Sequence, residues 1–93
     1  MNLSEFQAEL LAGHYSNAVP VQRDVGYQLA EHKHSFDACA LITGGEITLL
    51  VDGMVHRYGV GDVFRLPAGT VHGESAGPQG VNYLSGRREI STP

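Results

Sequence analysis

The sequence predicts an all-β domain, a sandwich or barrel of short strands, preceded by one short helix. The 93-residue chain contains 12 Gly and 4 Pro, and these turn-forming residues divide it into short runs of β-type pattern. The runs recur at intervals of about 8–12 residues, which is typical of a sandwich or barrel. In so small a chain, closing the sheet would also remove costly exposed edges.

Composition excludes several classes of protein. Hydrophobic residues make up 42% and charged residues 17%, which is ordinary for a globular domain. No apolar stretch approaches the ~20 residues of a membrane span, and the acidic N-terminal segment does not resemble a signal peptide. A net charge of −4 argues against a nucleic-acid partner. A single cysteine, Cys39, permits no internal disulfide, so we expect a cytoplasmic protein.

The only helical pattern lies at the start of the chain. Ser4 and Gln7 have the spacing of a capping box, and Gly13 stands where a helix would stop, which predicts a helix over 4–12. The apolar residues of this segment share one face at helical spacing, and they are Leu3, Phe6 and Leu10.

Seven β-type runs follow the helix. Asp52-Gly53 between two of them predicts a two-residue hairpin, because a type I′ turn needs positive φ at both central positions. Gly44-Gly45 and Gly77-Pro78 predict other corners. The predicted strands are Val21–Glu31, Phe36–Thr43, Glu46–Val51, Met54–Tyr58, Asp62–Leu66, Val71–Ser75 and Val81–Gly86. We therefore expect one domain, with a helix and lead-in over 1–20, a barrel over 21–90 and a tail over 91–93.

Two histidines one residue apart, His32 and His34, stand at the end of a predicted strand. Side chains at i and i+2 project from the same face of a strand, so the two imidazoles could converge on one metal ion or form a solvated pair. The turn at Pro67–Thr70 would return the chain and bring His72 towards them.

The spacing around these histidines resembles the two barrel motifs of the cupin superfamily, G-x5-HxH-x3/4-E-x6-G and G-x5-PxG-x2-H-x3-N. The residues in register are Gly26, His32, His34, Gly45, Gly61, Pro67, Gly69 and His72. Two positions depart from the pattern, since Ala38 stands at the Glu position and Ala76 at the Asn position. The resemblance extends over residues 26–76, or to about 88 with the closing strand.

This resemblance implies a cupin double-stranded β-helix, a jelly-roll barrel of two antiparallel sheets, in a homodimer. It also implies that His32, His34 and His72 meet in the barrel mouth around a divalent transition metal. Neutral imidazoles suit Zn, Fe, Ni, Mn or Cu, and three ligands leave positions open for water or substrate.

The missing motif carboxylate leaves the fourth ligand open. Strict strand alternation puts Phe36 and Ala38 on the face of the histidines and turns Asp37 and Cys39 away. A β-bulge after His34 would instead bring Asp37 or Cys39 inward as a fourth ligand.

Further side chains are candidates for the chemistry or for the pocket. Glu74 shares the face of His72 and is a further candidate for contact with the metal or the substrate. Glu74, Asp37 and His56 are the candidate proton carriers. The candidate pocket residues are Phe36, Ala38, Phe64 and Tyr83.

Two functions fit these residues. The first is a metal-dependent enzyme, dioxygenase-like or isomerase-like, that acts on a small organic molecule in the barrel. The alternative is a non-catalytic module that binds a metal or a small ligand, akin to sensory cupin domains. The absence of the motif Glu and Asn favours this alternative. Both take a small-molecule ligand and neither requires nucleic acid or a membrane.

Overall fold

A computed structural model describes residues 1–90, and the expected tail over 91–93 lies outside the described residues. The chain forms one helix, α1 (Leu3–Ala12), followed by six strands, β1 (Val19–Arg23), β2 (Gln28–His32), β3 (Phe36–Val51), β4 (Met54–Gly59), β5 (Val63–Leu66) and β6 (His72–Glu89). All strand pairings are antiparallel. The predicted all-β class with a short N-terminal helix is confirmed. Over the described part of the chain, no helix has the length and apolar character that crossing a membrane requires.

The helix is capped by Asn2 rather than by Ser4. The Asn2 side chain accepts a hydrogen bond from the Glu5 backbone N–H at 2.8 Å, and the Glu5 carboxylate accepts one from the Asn2 N–H at 3.1 Å. This reciprocal pair is a capping box, and it satisfies two backbone donors that a Ser4–Gln7 pair would leave free. The predicted cap at Ser4 is therefore wrong, whereas the stop at Gly13 is confirmed.

Replacing the cap should weaken the helix measurably. We expect Asn2→Ala to lower the free energy of unfolding by about 1 kcal/mol, because one helix N–H loses its acceptor. Ser4→Ala is the matched control and should stay within about 0.5 kcal/mol of the wild type. Urea denaturation followed by circular dichroism measures both variants. Equal losses in the two variants would contradict the Asn2 cap.

Two long strands replace four of the predicted short ones. β3 runs through Gly44-Gly45, and β6 runs through Gly77-Pro78, so these pairs bend strands instead of ending them. The register of β3 against β6 shifts on both sides of Gly44-Gly45, and Gly45 has a φ of 66°. Conversely, the predicted strand Val21–Glu31 is divided into β1 and β2 by a turn in which the Tyr27 N–H donates to the Asp24 carbonyl at 3.1 Å.

β6 is the centre of the sheet topology. It pairs with β1, β2 and β3, and β3 also pairs with β4 and β5. The β3–β4 hairpin turns at Asp52-Gly53, with φ values of 52° and 74°, which confirms the predicted turn with two positive φ angles. The β2–β6 pairing matters most for the site, because it sets His32 opposite His72.

The two faces of β3 pack against different layers. On the inner face, Ala38, Ala40 and Ile42 are buried among residues that include Phe64 and Tyr83. On the outer face, Cys39 and Leu41 are buried against Phe6 and Leu10 of the helix. Leu3, which was predicted to share the apolar helix face, is instead exposed. This alternation decides which β3 side chains can reach the histidines.

Candidate metal centre

The three predicted histidines come together at one end of the sheet. β2 ends at His32, His34 follows two residues later, and His72 opens β6 directly opposite His32. Ring centroids lie 4.8 Å apart for His32 and His34, 4.3 Å for His32 and His72, and 5.2 Å for His34 and His72. One ligand nitrogen from each ring lies within 4.8 Å of the others. The three residues are therefore close enough that they could bind one metal ion.

Backbone carbonyls fix the tautomer of two of these rings. His32 Nδ1 lies 2.8 Å from the Ala30 carbonyl, and His72 Nδ1 lies 3.0 Å from the Thr70 carbonyl. Since a carbonyl only accepts, Nδ1 must carry the proton, and Nε2 of the neutral ring is left with a free lone pair. Both Nε2 atoms are buried and have no hydrogen-bond partner among residues 1–90. A metal bound at Nε2 would supply that partner, and such Nδ1 bonds are typical of metal-binding histidines.

The third ring, His34, packs against an aromatic side chain and has a lowered pKa. It is half-buried and stacks on Phe36, with ring centroids 4.8 Å apart and planes 21° apart. Burial lowers the pKa of His34, and the neighbouring His32 and His72 rings lower it further. The donor set at neutral pH therefore includes an unprotonated imidazole at this position.

The histidines open into a cavity of about 420 Å³ between the sheets. Phe36, Ala38, Phe64 and Tyr83, the predicted pocket residues, all line it together with the three histidines. Phe64 and Tyr83 are in edge contact, with ring centroids 5.5 Å apart, and burial raises the pKa of the Tyr83 hydroxyl to about 12. These residues give the cavity an apolar wall beside the histidines.

Sequence reasoning missed the polar groups of the cavity other than the histidines and Glu74. The Tyr27 hydroxyl donates to Glu74 Oε1 at 2.5 Å, and the Arg23 guanidinium lies 5.3 Å from the Tyr27 ring centroid. Arg87 lies over the Phe36 ring at 4.1 Å. No spacing pattern marks these residues. The turn between β1 and β2 and the pairing of β6 with β1 and with β3 bring them to the site.

Asp37 faces away from the histidines. Its Oδ1 accepts from the Ala68 N–H at 2.8 Å, and its Oδ2 accepts from Arg88 Nε at 3.0 Å. These two bonds lower the pKa of the Asp37 carboxyl. The carboxylate ties the start of β3 to the turn before β6 and to the end of β6. This position counts against its role as a fourth ligand or proton carrier.

Cys39 and His56 are also remote from the three rings. Cys39 is fully buried against α1, its Sγ donates to Glu9 Oε2 at 3.3 Å, and burial raises its pKa to about 12. His56 lies on β4 opposite Leu49 and does not line the cavity. Because β3 keeps a regular register from Phe36 to Ile42, no bulge turns Cys39 inward. Strict alternation therefore holds, and the structure does not support the bulged alternative.

Comparison with known proteins agrees with this geometry. Residues 21–80, more than half of the chain, match the Cupin domain family. No curated protein sequence gives a significant match. Many solved structures do match.

Three of these structures share 26% sequence identity with the chain. An RmlC-like cupin from Shewanella frigidimarina NCIMB 400 has a TM-score of 0.68, with 78% of this chain and 65% of that one covered. KdgF from Halomonas sp. has a TM-score of 0.65, with 80% of this chain and 69% of that one covered. The DMSP lyase DddQ from Ruegeria pomeroyi DSS-3 has a TM-score of 0.69, with 82% of this chain and 40% of that one covered. The chain thus spans slightly less than two thirds of the first structure, and the predicted jelly-roll fold is confirmed.

Proposed function

The chain belongs to the cupin family, and we propose that it is a metalloprotein that acts on a small organic molecule. In this proposal His32, His34 and His72 hold one divalent transition metal at the wall of the cavity. The observation that carries the proposal is the pair of buried Nε2 atoms, on His32 and His72, that have no partner in the described part of the chain. Leaving a buried polar atom unsatisfied costs about 1–3 kcal/mol, so a ligand at these atoms is favoured.

The donor set limits the metal without selecting one. Three neutral imidazoles suit Zn, Fe, Ni, Mn or Cu, and they leave coordination positions for other ligands. Such a metal, when bound, supplies Lewis-acid chemistry, and iron or copper would add chemistry with O2. A dioxygenase-like or isomerase-like reaction therefore fits the centre.

The remaining cavity residues would bind and orient the organic molecule. Phe36, Phe64 and Tyr83 offer apolar surface and exclude water. Arg23 and Arg87 also line the cavity and would favour a molecule that carries negative charge. That a lyase, DddQ, has a similar fold supports a catalytic use of this architecture.

Turnover by the metal-loaded protein tests the enzymatic function. We expect at least one of the Fe, Mn, Ni or Cu forms to convert a catechol, diketone or thiol-acid substrate in air, because the cavity gives such a molecule access to the centre. Product formation is followed by mass spectrometry, with His72→Ala as the control that should be inactive. Inactivity of all four metal-loaded forms on all three substrate classes would contradict the proposed enzymatic function.

A non-catalytic binding module is the second candidate, and Ala38 and Ala76 favour it. Both replace polar residues of the family motifs, and neither side chain can coordinate a metal or carry a proton. This function predicts tight metabolite binding, at nanomolar affinity, that survives replacement of the histidines. Calorimetric titration of wild type and His72→Ala distinguishes the two functions.

The homodimer, the cytoplasmic location and the division of the chain at residue 21 stay predictions.

A further inference from the structure

Glu74 lies beside the histidines and, among residues 1–90, forms no salt bridge with a Lys or Arg. It is two residues after His72 on the same face of β6, and its Oε2 lies 3.8 Å from His72 Nε2. Its side chain is only 11% exposed. Among residues 1–90, its close polar contacts are this imidazole and the Tyr27 hydroxyl, which donates to Oε1 at 2.5 Å.

The groups at this point are all hydrogen-bond acceptors. His32 Nε2 and His72 Nε2 present lone pairs, because their Nδ1 protons are used on backbone carbonyls. Glu74 Oε2 is a carboxylate oxygen, and 3.8 Å is too long for a hydrogen bond to His72. A largely buried carboxylate that faces lone pairs is costly unless a cation lies between them. A metal cation between His72 Nε2 and Glu74 Oε2 would therefore stabilise this arrangement.

We propose that Glu74 supplies a carboxylate ligand, through Oε2, to the metal held by the three histidines, and that Tyr27 is its positioning residue. The proposal rests on the proposed function. Two atoms bound to one ion at about 2.0–2.2 Å can lie up to about 4.3 Å apart. The observed separation of 3.8 Å between Oε2 and Nε2 is within this limit. Glu74 thus provides from β6 the carboxylate that Ala38 on β3 cannot.

Tyr27 fixes which carboxylate oxygen faces the histidines. Its hydroxyl bonds Oε1, which leaves Oε2 on the side of His72. The backbone of Tyr27 is itself held, since its carbonyl accepts from the Ala76 N–H at 3.0 Å. Arg23 lies over the tyrosine ring, 5.3 Å from its centroid. A hydrogen-bonded carboxylate of this kind is typical of the support around metal ligands.

Cobalt titration of single variants tests the proposal. Co²⁺ reports its donor set through visible absorption, so affinity and coordination are read from one experiment on the full chain. We expect Glu74→Gln, which keeps an oxygen at the same place but loses the charge, to weaken Co²⁺ binding about 10–100-fold and to change the spectrum. Tyr27→Phe removes only a supporting hydrogen bond and should weaken binding about 10-fold. The matched control is Glu31→Gln, which removes the same charge from an exposed position beside His32 and should leave both readouts unchanged.

Each outcome separates this proposal from the proposed function. If Glu74→Gln binds Co²⁺ with wild-type affinity and spectrum while His72→Ala does not bind it, Glu74 is not a ligand and the three-histidine centre stands. If the wild type itself does not bind Co²⁺, the proposed function fails as well. Should Glu74→Gln not fold, Tyr27→Phe decides, and wild-type affinity and spectrum in that variant would overturn the proposal.

Discussion

Replacing His72 with Ala is expected to abolish metal binding at micromolar concentrations. His72 is 1% exposed and its Nε2 faces the other rings, so no nearby side chain can take its place. Changes to the residues that only support metal ligands already cost about 10–100-fold in affinity. Loss of a ligand itself should therefore weaken binding by at least about 100-fold, as measured by Co²⁺ titration.

His56→Ala is the matched control for that variant. His56 is a half-buried histidine on β4, and it lies outside the group of three. The His56→Ala protein should bind Co²⁺ as tightly as the wild type does. Circular dichroism of both variants checks that the sheet remains folded. Equal affinity of His72→Ala and His56→Ala would show that the metal binds elsewhere.

Gly45→Ala should be the most damaging single substitution for stability. A Cβ at this position would lie 2.1 Å from the Gly80 carbonyl oxygen and 3.1 Å from Val81 Cα, and both are backbone atoms that cannot rotate away. The φ of 66° at Gly45 adds backbone strain for any residue with a Cβ. We expect a loss of about 4 kcal/mol or more in the free energy of unfolding, measured by urea denaturation. Much of a small domain's stability would then be lost.

Gly53→Ala separates the steric effect from the backbone effect. Gly53 has a similar φ of 74°, yet a Cβ there would meet nothing within 4 Å. We expect a loss of about 1–2 kcal/mol, the cost of the left-handed conformation alone. If the two alanine variants unfold at the same urea concentration, the close approach of Gly45 to Gly80 is not what makes glycine necessary.

The fold was predictable because its signals are local. Strand periodicity, the Asp52-Gly53 turn and the fixed spacing of glycines around the histidines each depend on a few neighbouring residues. The convergence of His32 with His72 was predictable for the same reason, since the Pro67–Thr70 turn sets the start of β6. The boundaries were less accurate, because glycine pairs such as Gly44-Gly45 can bend a strand as readily as they end it.

The rest of the site depends on contacts between distant parts of the chain. Tyr27 reaches Glu74 only because β2 pairs with β6, and the interval between the two residues carries no motif. Asp37 was an open candidate from its position in the sequence, but Arg88 and the Ala68 N–H hold it on the other side of β3. Which carboxylate faces the histidines is a property of the tertiary structure.

Metal content of the wild-type protein, purified without a histidine tag, tests the three-histidine centre most directly. Elemental analysis before and after exposure to divalent ions gives the number of ions per chain. We predict one transition-metal ion per chain in the wild type and a loss of that ion in His32→Ala and His72→Ala. A wild type that carries no stoichiometric metal and takes up none, or histidine variants that keep it, would contradict a metal centre at His32, His34 and His72.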